Sequence, residues 1–397
     1  MLRYRVHNVI RTYGPLSRAE IARRLAVSKP AVSPAVRQLI DQGLVYESGP
    51  EPSQGGRRGM GVDLVPLQRS VLGVDVGATN TRAAIADVRG TILATRRVRT
   101  DGRSTDALIE QLTSLRDDLV AAAGAPSPES VAIGTPGVVD PETGAVRFAP
   151  NLPVLERPGL GERLQDALGC LVSVHNDVNV AAVGEHWRGA ARGVDTFVLV
   201  GVGTGLGFGL VVDGELFTGA RGRAGEASLT RVHPMRPRRI EDVASGVGIA
   251  ARHRRAGGSG LPEDAFVEAS SGVEPGTSVV REFIRYLAWT IAFLTTTIDP
   301  ERVVIGGGIG MRLRPHLPTI ASLVAEYGPF STDLVVSSSA DEAGMHGAIW
   351  CALWSDEQRL LQRLEGTEAS EFTAIAHGAF RESMADVALR TVQGEAA

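Results

Sequence analysis

The sequence is poor in several residue types, and each scarcity excludes a class of protein. Its 397 residues include two cysteines, a single lysine and 5% aromatic residues. Two cysteines can build neither a disulfide framework nor a four-cysteine zinc site. Residues 1–14 lack the continuous apolar core of a secretory signal peptide. We therefore expect a protein of the reducing cytoplasm.

The sequence also lacks an apolar run suited to crossing a membrane. The uncharged run of residues 196–212 is 17 residues long, at the lower limit for a spanning helix, and it contains GVGTGLGFG. Glycine is unfavourable inside a helix, and β-branched residues flank this stretch on both sides. Asp213 and Gly214 then form a typical hairpin turn. The pattern predicts two strands around a glycine turn, which either holds a phosphate through backbone N–H groups or simply connects the strands tightly.

Length and charge indicate several domains of different character. A chain of this length exceeds one ordinary core, so we expect two or three domains. Residues 1–69 carry eleven basic and five acidic side chains, whereas the rest of the chain carries thirty basic and forty acidic ones. A basic N-terminal module on an acidic body indicates contact with a polyanion, although many solvated surfaces have a similar charge.

The capping and turn residues within residues 1–66 predict a winged helix-turn-helix domain. A first helix is predicted over residues 2–13, and Ser17 and Glu20 form a capping box for a second. A third helix follows a tight turn and would enter the major groove of DNA through its early residues. The alternative is a three-helix module that contacts protein beside a solvated basic face. The expected DNA contacts are Ser28, Lys29, Ser33 and Arg37 on the third helix and Arg57 and Arg58 in the wing.

Pro34 conflicts with a regular third helix. Proline in a helix interior removes a backbone donor and clashes with the preceding turn. Either the helix begins late, with Ser33 as its cap and Pro34 at its first position, or it is kinked. Both alternatives change which side chains reach the bases, but neither removes the domain.

From residue 71 onward, short strands alternate with glycine turns. VLGVDVGATN predicts a strand that ends at Asp75 before a turn, and RVVIGGGIG repeats the arrangement near residue 306. Asp75 could hold a metal-bound water, and the turns could meet phosphate. Two β-rich lobes that each present a glycine turn indicate a nucleotide or sugar in the cleft between them. The candidate nucleotide contacts are Asp75, Gly77, Thr79, Asn80, Gly203, Thr204, Gly205, Gly307 and Gly308.

These motifs together resemble the ROK family (repressor, open reading frame, kinase) of the actin-like sugar-kinase superfold. VDVGATNTR, IGTPGVVD, HNDVNVAAVGE, GVGTGLGFGLVVDGELFTGARGRAGE and VVIGGGIG occur in family order, and the likeness spans most of residues 1–355. It implies an α/β fold, in which a winged helix-turn-helix domain precedes a two-lobed body. A DNA-binding module before such a body resembles the sugar-responsive repressors, including those for xylose and N-acetylglucosamine.

The resemblance also implies a sugar site. Asp177 resembles the general base of the family kinases, which takes the proton from the hydroxyl being phosphorylated. In a repressor the same carboxylate would accept hydrogen bonds from the sugar. The alternatives are that Asp177 is only a helix cap and that Glu226 is only a surface carboxylate. The implied sugar-binding residues are Asn151, Asn176, Asp177 and Glu226.

The chain departs from the family kinases beside the expected sugar. Those kinases usually follow the Gly-Glu pair with Gly-His and a cysteine cluster for structural zinc, but Ser228 and Leu229 stand here and the cluster is absent. Ala78 also replaces a glycine that is usual in their first phosphate loop. These departures imply no zinc, and they favour a sugar-responsive repressor over a sugar kinase or a bifunctional protein, for which MgATP would be the cofactor.

The expected organisation has four parts. A DNA-binding domain over residues 1–66 precedes lobes over residues 71–180 and 181–355, and residues 356–397 form an extension with no assigned role. The expected partners are double-stranded operator DNA, a sugar or sugar-phosphate effector, and further copies of the chain in a homodimer or homotetramer. No contact with a membrane is expected.

Overall fold

This computed structural model describes residues 1–51, 59–140, 143–233, 236–339 and 341–366, together with Arg381 and Met384. Along these residues the chain forms an N-terminal domain, here called the head, and a body of two α/β lobes, each built on a five-stranded sheet. This architecture is the one that the sequence predicts. In the described part of the chain, no helix has the length and apolar character needed to span a membrane.

The head is a winged helix-turn-helix. Ser17 caps the second helix by accepting a hydrogen bond from the amide of Glu20, as the capping box predicts. A three-stranded sheet of order β1-β3-β2 forms the wing, whose tip, with the predicted DNA contacts Arg57 and Arg58, lies outside the described residues. The elements are α1 (Leu2–Tyr13), β1 (Leu16–Ser17), α2 (Arg18–Arg24), α3 (Lys29–Asp41), β2 (Val45–Glu51) and β3 (Gly59–Leu64).

The helix α3 is continuous through Pro34, so the interpretation that it begins late at Ser33 is wrong. It starts at Lys29, with Ser28 as its N-cap residue. The hydroxyl of Ser33 donates to the carbonyl of Lys29 at 3.3 Å instead of capping a new helix. One proline near the start of a helix removes a single backbone donor, and the buried face with Val36 holds the rest of the helix in place.

The first lobe has a mixed sheet of order β10-β7-β4-β5-β6. Its central strands β4 and β7 run parallel, so that their carboxyl ends meet at one edge, while β4, β5 and β6 form an antiparallel meander. The elements are β4 (Ser70–Val76), β5 (Asn80–Asp87), β6 (Ile92–Arg99), α4 (Thr105–Ala123), β7 (Ser130–Thr135), β8 (Val138–Val139), β9 (Val146–Arg147), a 3₁₀ turn (Pro153–Glu156), α5 (Leu160–Leu168) and β10 (Leu171–Asn176).

The second lobe follows the helix α6 (Asp177–Arg188) and has a sheet of order β13-β12-β11-β16-β17. Strand β11 (Phe197–Val202), the glycine turn and β12 (Leu206–Val212) confirm the predicted strand-turn-strand. Asp213 and Gly214, at φ 52° and 70°, make the predicted hairpin turn. The remaining elements are β13 (Glu215–Leu216), a 3₁₀ turn (Glu226–Leu229), β14 (Arg231–His233), β15 (Arg236–Arg239), α7 (Glu241–Ala244), α8 (Gly246–Arg255), α9 (Pro262–Ser270), α10 (Gly276–Ile298), β16 (Arg302–Gly306), α11 (Gly307–Gly310), a 3₁₀ turn (Met311–His316), α12 (Leu317–Tyr327) and β17 (Asp333–Val336).

The last helix, α13 (Ala343–Glu365), runs across the predicted domain boundary at residue 355. It leaves the second lobe, packs along α6 and against β4 and β7 of the first lobe, and continues into the head. There Leu360, Leu361 and Leu364 are buried in the apolar core of the head. Because one helix leaves the second lobe, packs on the first lobe and completes the core of the head, it belongs to all three units.

Candidate functional site

A cavity of about 1150 Å³ lies between the two lobes. The carboxyl ends of β4, β7 and β10, the glycine turn between β11 and β12, and the start of α11 all border it. It brings together every predicted sugar and nucleotide contact: Asp75, Gly77, Thr79, Asn80, Asn151, Asn176, Asp177, Gly203, Thr204, Gly205, Glu226, Gly307 and Gly308.

Asp177 is the first residue of α6, directly after the end of β10. The N-cap is Asn176, whose side-chain oxygen accepts from the amide of Asn179 at 3.0 Å and whose side-chain nitrogen donates to the carbonyl of Gly137 at 2.9 Å. These two bonds leave Asn176 one amide hydrogen for a ligand. Asn176 therefore holds the start of α6 in place, and Asp177 extends into the cleft from a fixed position.

Burial and neighbouring carboxylates make this part of the cleft electrostatically unusual. Burial, followed by the charges of Asp75 and Glu226, raises the pKa of Asp177 to about 7, although the amide of Val178 donates to its carboxylate at 2.8 Å. Burial and the charge of Glu241 likewise raise the pKa of Glu226. Oxygen acceptors with little competing water suit the hydroxyl groups of a neutral ligand.

Asp75 is held by an arginine that the sequence analysis missed. Arg82 pairs with Asp75 at 3.6 Å and with Asp341 at 2.7 Å. Burial still raises the pKa of Asp75 to about 6, because the favourable charge of Arg82 is opposed by that of Asp341. The antiparallel register places Asp75 directly opposite Arg82. A hairpin centred on the GATN turn could have revealed this pair from sequence.

Glu226 begins a 3₁₀ turn that follows a glycine at positive φ. Gly225 has φ 89°, and a Cβ there would lie 2.0 Å from the carbonyl oxygen of Phe208, so only glycine fits. Glu226 lines the cleft, as do Leu229, where the family kinases carry histidine, and Glu241. Glu241 was missed because it starts the short helix α7, apart from the motifs that mark the cleft. Asn151 is exposed at the edge of the cleft.

The glycine loops leave open space where a phosphate could lie. Added Cβ atoms at Gly203 and Gly308 would meet nothing within 4 Å, and Gly307 has φ 81°. The amides of Gly77 and Gly203 donate within their own turns, to the carbonyls of Asn80 and Gly205. The loops therefore have room for phosphate, although their own hydrogen bonds occupy part of their donors.

The helix α13 begins at this cleft and touches its ligand-facing elements through glycines. A Cβ on Gly344 would lie 2.9 Å from the carboxyl carbon of Asp75. Where α6 and α13 cross, Cβ atoms on Gly184 and Gly347 would lie 2.0 and 1.6 Å from backbone oxygens of the facing helix. The two backbones are thus in direct contact, and a shift of α6 must move α13.

At its other end α13 is fixed to the head by a buried ion pair: Arg11 of α1 is 1% exposed and pairs with Glu357 at 2.7 Å. Arg69, which directly precedes β4 of the first lobe, pairs with the neighbouring Asp356 at 2.9 Å. The backbone amide of Tyr4 donates to Glu365 at 3.1 Å. Since breaking a buried pair costs about 3–5 kcal/mol, the head and α13 form one mechanical unit.

The exposed face of α3 combines charged and small apolar groups. Lys29 and Arg37 are exposed and form no ion pair with any described residue. Ser28 is also exposed, whereas Ser33 is half-buried and its hydroxyl donates within the helix. Pro30, Ala31, Pro34 and Gln38, which the sequence analysis did not select, complete this face. Small apolar groups at such positions can contact thymine methyl groups in the major groove.

Comparison with known proteins agrees with this two-part construction. The model of the ROK family matches residues 71–355, and that of the MarR family matches residues 4–59. The N-acetylglucosamine repressor of Shigella flexneri is 28% identical over 365 residues, covering 86% of this chain and 90% of the repressor. The glucokinase of Halalkalibacterium halodurans is 29% identical over 314 residues, covering 71% of this chain and 94% of the kinase.

A solved structure reproduces the whole arrangement of head and body. The crystal structure of a ROK family transcriptional regulator, a homologue of the E. coli MLC protein, superposes with a TM-score of 0.72 at 24% identity. It covers 98% of this chain, and the chain covers 97% of it. The likeness extends to the fold of both the head and the body.

Proposed function

The chain belongs to the ROK family, and from this premise we propose that it is a sugar-responsive transcriptional regulator. Its head binds operator DNA, and a sugar in the cleft between the lobes changes the affinity for that DNA. The relatives that carry a comparable N-terminal part include an N-acetylglucosamine repressor, which covers most of this chain.

DNA binding by the head is supported by the free cations of α3. Lys29 and Arg37 are about 12 Å apart along the helix axis at 1.5 Å per residue, and both are exposed. Other arginines of the head are engaged in ion pairs: Arg18 pairs with Glu47, while Arg23 and Arg24 share Glu20. The unpaired cations therefore lie where a recognition helix meets DNA.

Sugar binding is supported by the concentration of hydroxyl acceptors in the cleft. The carboxylates of Asp177 and Glu226 line it, and burial raises the pKa of both. A ligand that donates several hydrogen bonds stabilises such groups, whereas a bare anion would be repelled. We propose that Asn151, Asp177 and Glu226 hold the sugar and that Asn176 positions Asp177.

The observation that carries the proposal is the path of α13. The helix starts against Asp75 in the cleft, lies backbone to backbone on the helix that begins with Asp177, and ends inside the core of the head. A sugar that pulls the lobes together therefore moves the head through one continuous helix. Regulation requires only that the sugar bind the DNA-competent and DNA-incompetent arrangements with different affinity.

The test begins with operators selected by the full-length chain from a pool of random duplexes. Fluorescence anisotropy then gives DNA affinity with and without each member of a panel of neutral sugars. We expect one sugar to change the affinity by roughly 5–150-fold. Asp177→Asn should weaken this response without altering the affinity for DNA alone, and the exposed Asp166→Asn is the control. If Asp177→Asn responded at the wild-type sugar concentration, the cleft would be excluded as the effector site.

A second candidate function, a sugar kinase, is favoured by the pKa of Asp177, which lies at about 7. A carboxylate with this pKa can accept the proton of a sugar hydroxyl at neutral pH. MgATP would supply the phosphoryl group, and its phosphates would be held by the glycine loops that line the same cavity as Asp177: Gly203, Thr204, Gly205, Gly307 and Gly308. The glucokinase of H. halodurans shows that relatives of the body include a kinase.

The loop beside Glu226 argues against efficient phosphorylation. Leu229 occupies the position where family kinases carry a histidine, and the described residues contain no group of three or more His, Cys, Asp or Glu side chains placed to hold a metal ion. Even a slight misplacement of the reacting hydroxyl can reduce a rate by about 100-fold. Product formation from the tightest-binding sugar with MgATP tests this: turnover of about 1 per second that Asp177→Asn abolishes would establish the kinase.

A further inference from the structure

The cleft between the lobes has an apolar border that the proposed sugar contacts do not use. Phe148 and Leu229 line the cavity and are 64% and 37% exposed. Pro136 and Pro150 line it as well. Phe148 and both prolines belong to the first lobe, whereas Leu229 belongs to the second. We call these four residues the apolar rim.

Three residues of the apolar rim lie together, because two segments of the first lobe approach each other closely. A Cβ on Gly137, the residue after Pro136, would lie 3.0 Å from the Cβ of Ala149, the residue after Phe148. The strands β8 and β9 pair directly beside this point. The two proline rings and the phenyl ring therefore border one stretch of the cavity.

The backbone of Phe148 is held in an unfavourable conformation. Its φ is 56°, in the left-handed region that a bulky side chain rarely adopts. Val146 and Ala149 on either side are buried in the core of the first lobe, and the amide of Ala149 donates to the carboxylate of Glu156 at 2.8 Å. These contacts fix the chain around Phe148 and leave its side chain exposed at the cavity. Enforced backbone conformations of this kind cluster at ligand sites.

The apolar rim adjoins the proposed sugar site on both lobes. On the first lobe, Asn151 directly follows the second proline of the rim, and the side chain of Asn176 donates to the carbonyl of Gly137 at 2.9 Å. On the second lobe, Leu229 ends the 3₁₀ turn that Glu226 begins. A sugar in that site therefore has apolar side chains beside it on both lobes.

The chemistry of the apolar rim indicates an apolar group on the ligand. Its side chains are one phenyl ring, two proline rings and the aliphatic Leu229, and none of them carries a hydrogen-bonding group. An aromatic ring is stabilised by stacking and burial against such side chains, whereas the hydroxyl groups of a second sugar would lose hydrogen bonds to water there. The cavity of about 1150 Å³ has room for a sugar that carries such a substituent.

We propose that the apolar rim binds the aromatic aglycone of a glycoside whose sugar occupies the site at Asp177 and Glu226. The assignment rests on the proposed function and names the class of ligand, an aryl glycoside. Because Phe148 and Leu229 come from different lobes, an aromatic ring between them contacts both lobes. It thereby stabilises the arrangement in which the lobes lie close together.

Isothermal titration calorimetry of the full-length chain with matched glycosides tests the class of ligand. The probes are the methyl and phenyl glycosides, in both anomers, of glucose, galactose, xylose and N-acetylglucosamine, together with the corresponding disaccharides. For the sugar that binds most tightly, we expect the phenyl glycoside to bind about tenfold more tightly than the methyl glycoside. The disaccharide should bind no more tightly than the methyl glycoside.

Two substitutions of Phe148 separate the contribution of its ring from an effect on folding. Phe148→Gly removes the ring and suits a positive φ, so it should reduce the ratio of phenyl to methyl affinity about tenfold without lowering the midpoint of thermal unfolding. Phe148→Tyr keeps a ring and should keep the ratio. Phe217→Gly is the matched control, because Phe217 is 51% exposed and lies outside the lining of the cavity.

Asp177→Asn distinguishes the apolar rim from the sugar site, since it should weaken both glycosides and leave the ratio of their affinities unchanged. Three results would overturn the assignment of the rim alone: equal affinities for the methyl and phenyl glycosides, a ratio that survives Phe148→Gly, or a disaccharide that binds as tightly as the phenyl glycoside. A chain that bound none of the glycosides would contradict the proposed sugar site as well.

Discussion

The two ends of α13 lie in opposite kinds of surroundings. At its start, Gly344 touches Asp75 in a polar cavity where carboxylates of both lobes face each other across open space. At its end, Leu361 and Leu364 are 2% and 1% exposed in the core of the head. The side chains that face the cavity can move when a ligand enters, whereas the side chains around the head end of α13 are closely packed.

This difference explains how a small ligand could control a distant DNA-binding surface. Packed cores respond to displacement as solid bodies, because their side chains interlock at crystalline density. A displacement of α13 at its cavity end is therefore transmitted to its head end with little loss. Two predictions compare the two ends of α13, and two more concern the recognition helix α3.

The largest effect is expected at the head end, from the buried ion pair. Glu357→Gln leaves Arg11 charged and buried without its partner, which should lower the free energy of unfolding by about 3–5 kcal/mol in urea denaturation. The control is Arg359→Gln on the same helix, whose pair with Glu129 is half exposed on both sides and should cost less than about 1 kcal/mol. Equal effects of the two changes would mean that the head is not fixed by this pair.

At the cavity end, the carboxyl group of Asp177 should make the stability of the fold depend on pH. Folding raises the pKa of Asp177 from 3.8 to about 7, so the folded state binds the proton more tightly, and stability is lost as pH rises between these values. Asp177→Asn removes this loss and should gain stability over the wild type at pH 8, on the order of 4 kcal/mol, but not at pH 3. Urea denaturation at both pH values measures it. A gain that was independent of pH would show that folding does not raise the pKa of this carboxyl.

The recognition helix should respond independently of both ends of α13. Arg37→Ala is expected to lower affinity for a selected operator by about 1–3 kcal/mol if the guanidinium contacts a base edge, with little change in stability because the side chain is exposed. Arg23→Ala on α2, whose side chain already forms an ion pair with Glu20, is the control. Equal losses on selected and random DNA would reassign Arg37 to the phosphate backbone.

The smallest effect concerns Ala31 and Pro34 on the same helix. If they contact thymine methyl groups, deoxyuridine at those operator positions should reduce affinity roughly fourfold per methyl, the equivalent of about 0.8 kcal/mol. Deoxyuridine outside the half-site serves as the control. Operators that tolerate deoxyuridine at every position would leave Ala31 and Pro34 without a role in base recognition.

The features that were predictable from sequence are local. The capping box of Ser17 and Glu20, the hairpin at Asp213 and Gly214, and the glycine turns depend on neighbouring residues, so their patterns are legible. The glycine turns indicated the nucleotide residues, the family resemblance implied the sugar residues, and all of those named here line one cavity.

The features that were not predictable depend on contacts between distant segments. Glu241, at the start of α7, and Asp341, in the turn before α13, enter the cleft from separate segments, and nothing in their surrounding sequence marks them. The path of α13 was not predicted, because its buried leucines have a pattern that any amphipathic helix shares. Only the packing of Leu360 against the head tells which core the helix completes.

The coupling between cleft and head is tested most directly by reciprocity. Isothermal titration calorimetry can measure the affinity of the effector sugar for the free chain and for the chain saturated with operator. If the sugar and the operator act on one α13-linked body, the operator must change the affinity for the sugar by the same factor by which the sugar changes the affinity for the operator, roughly 5–150-fold. Equal sugar affinities with and without operator would contradict the account, because cleft and head would then be independent.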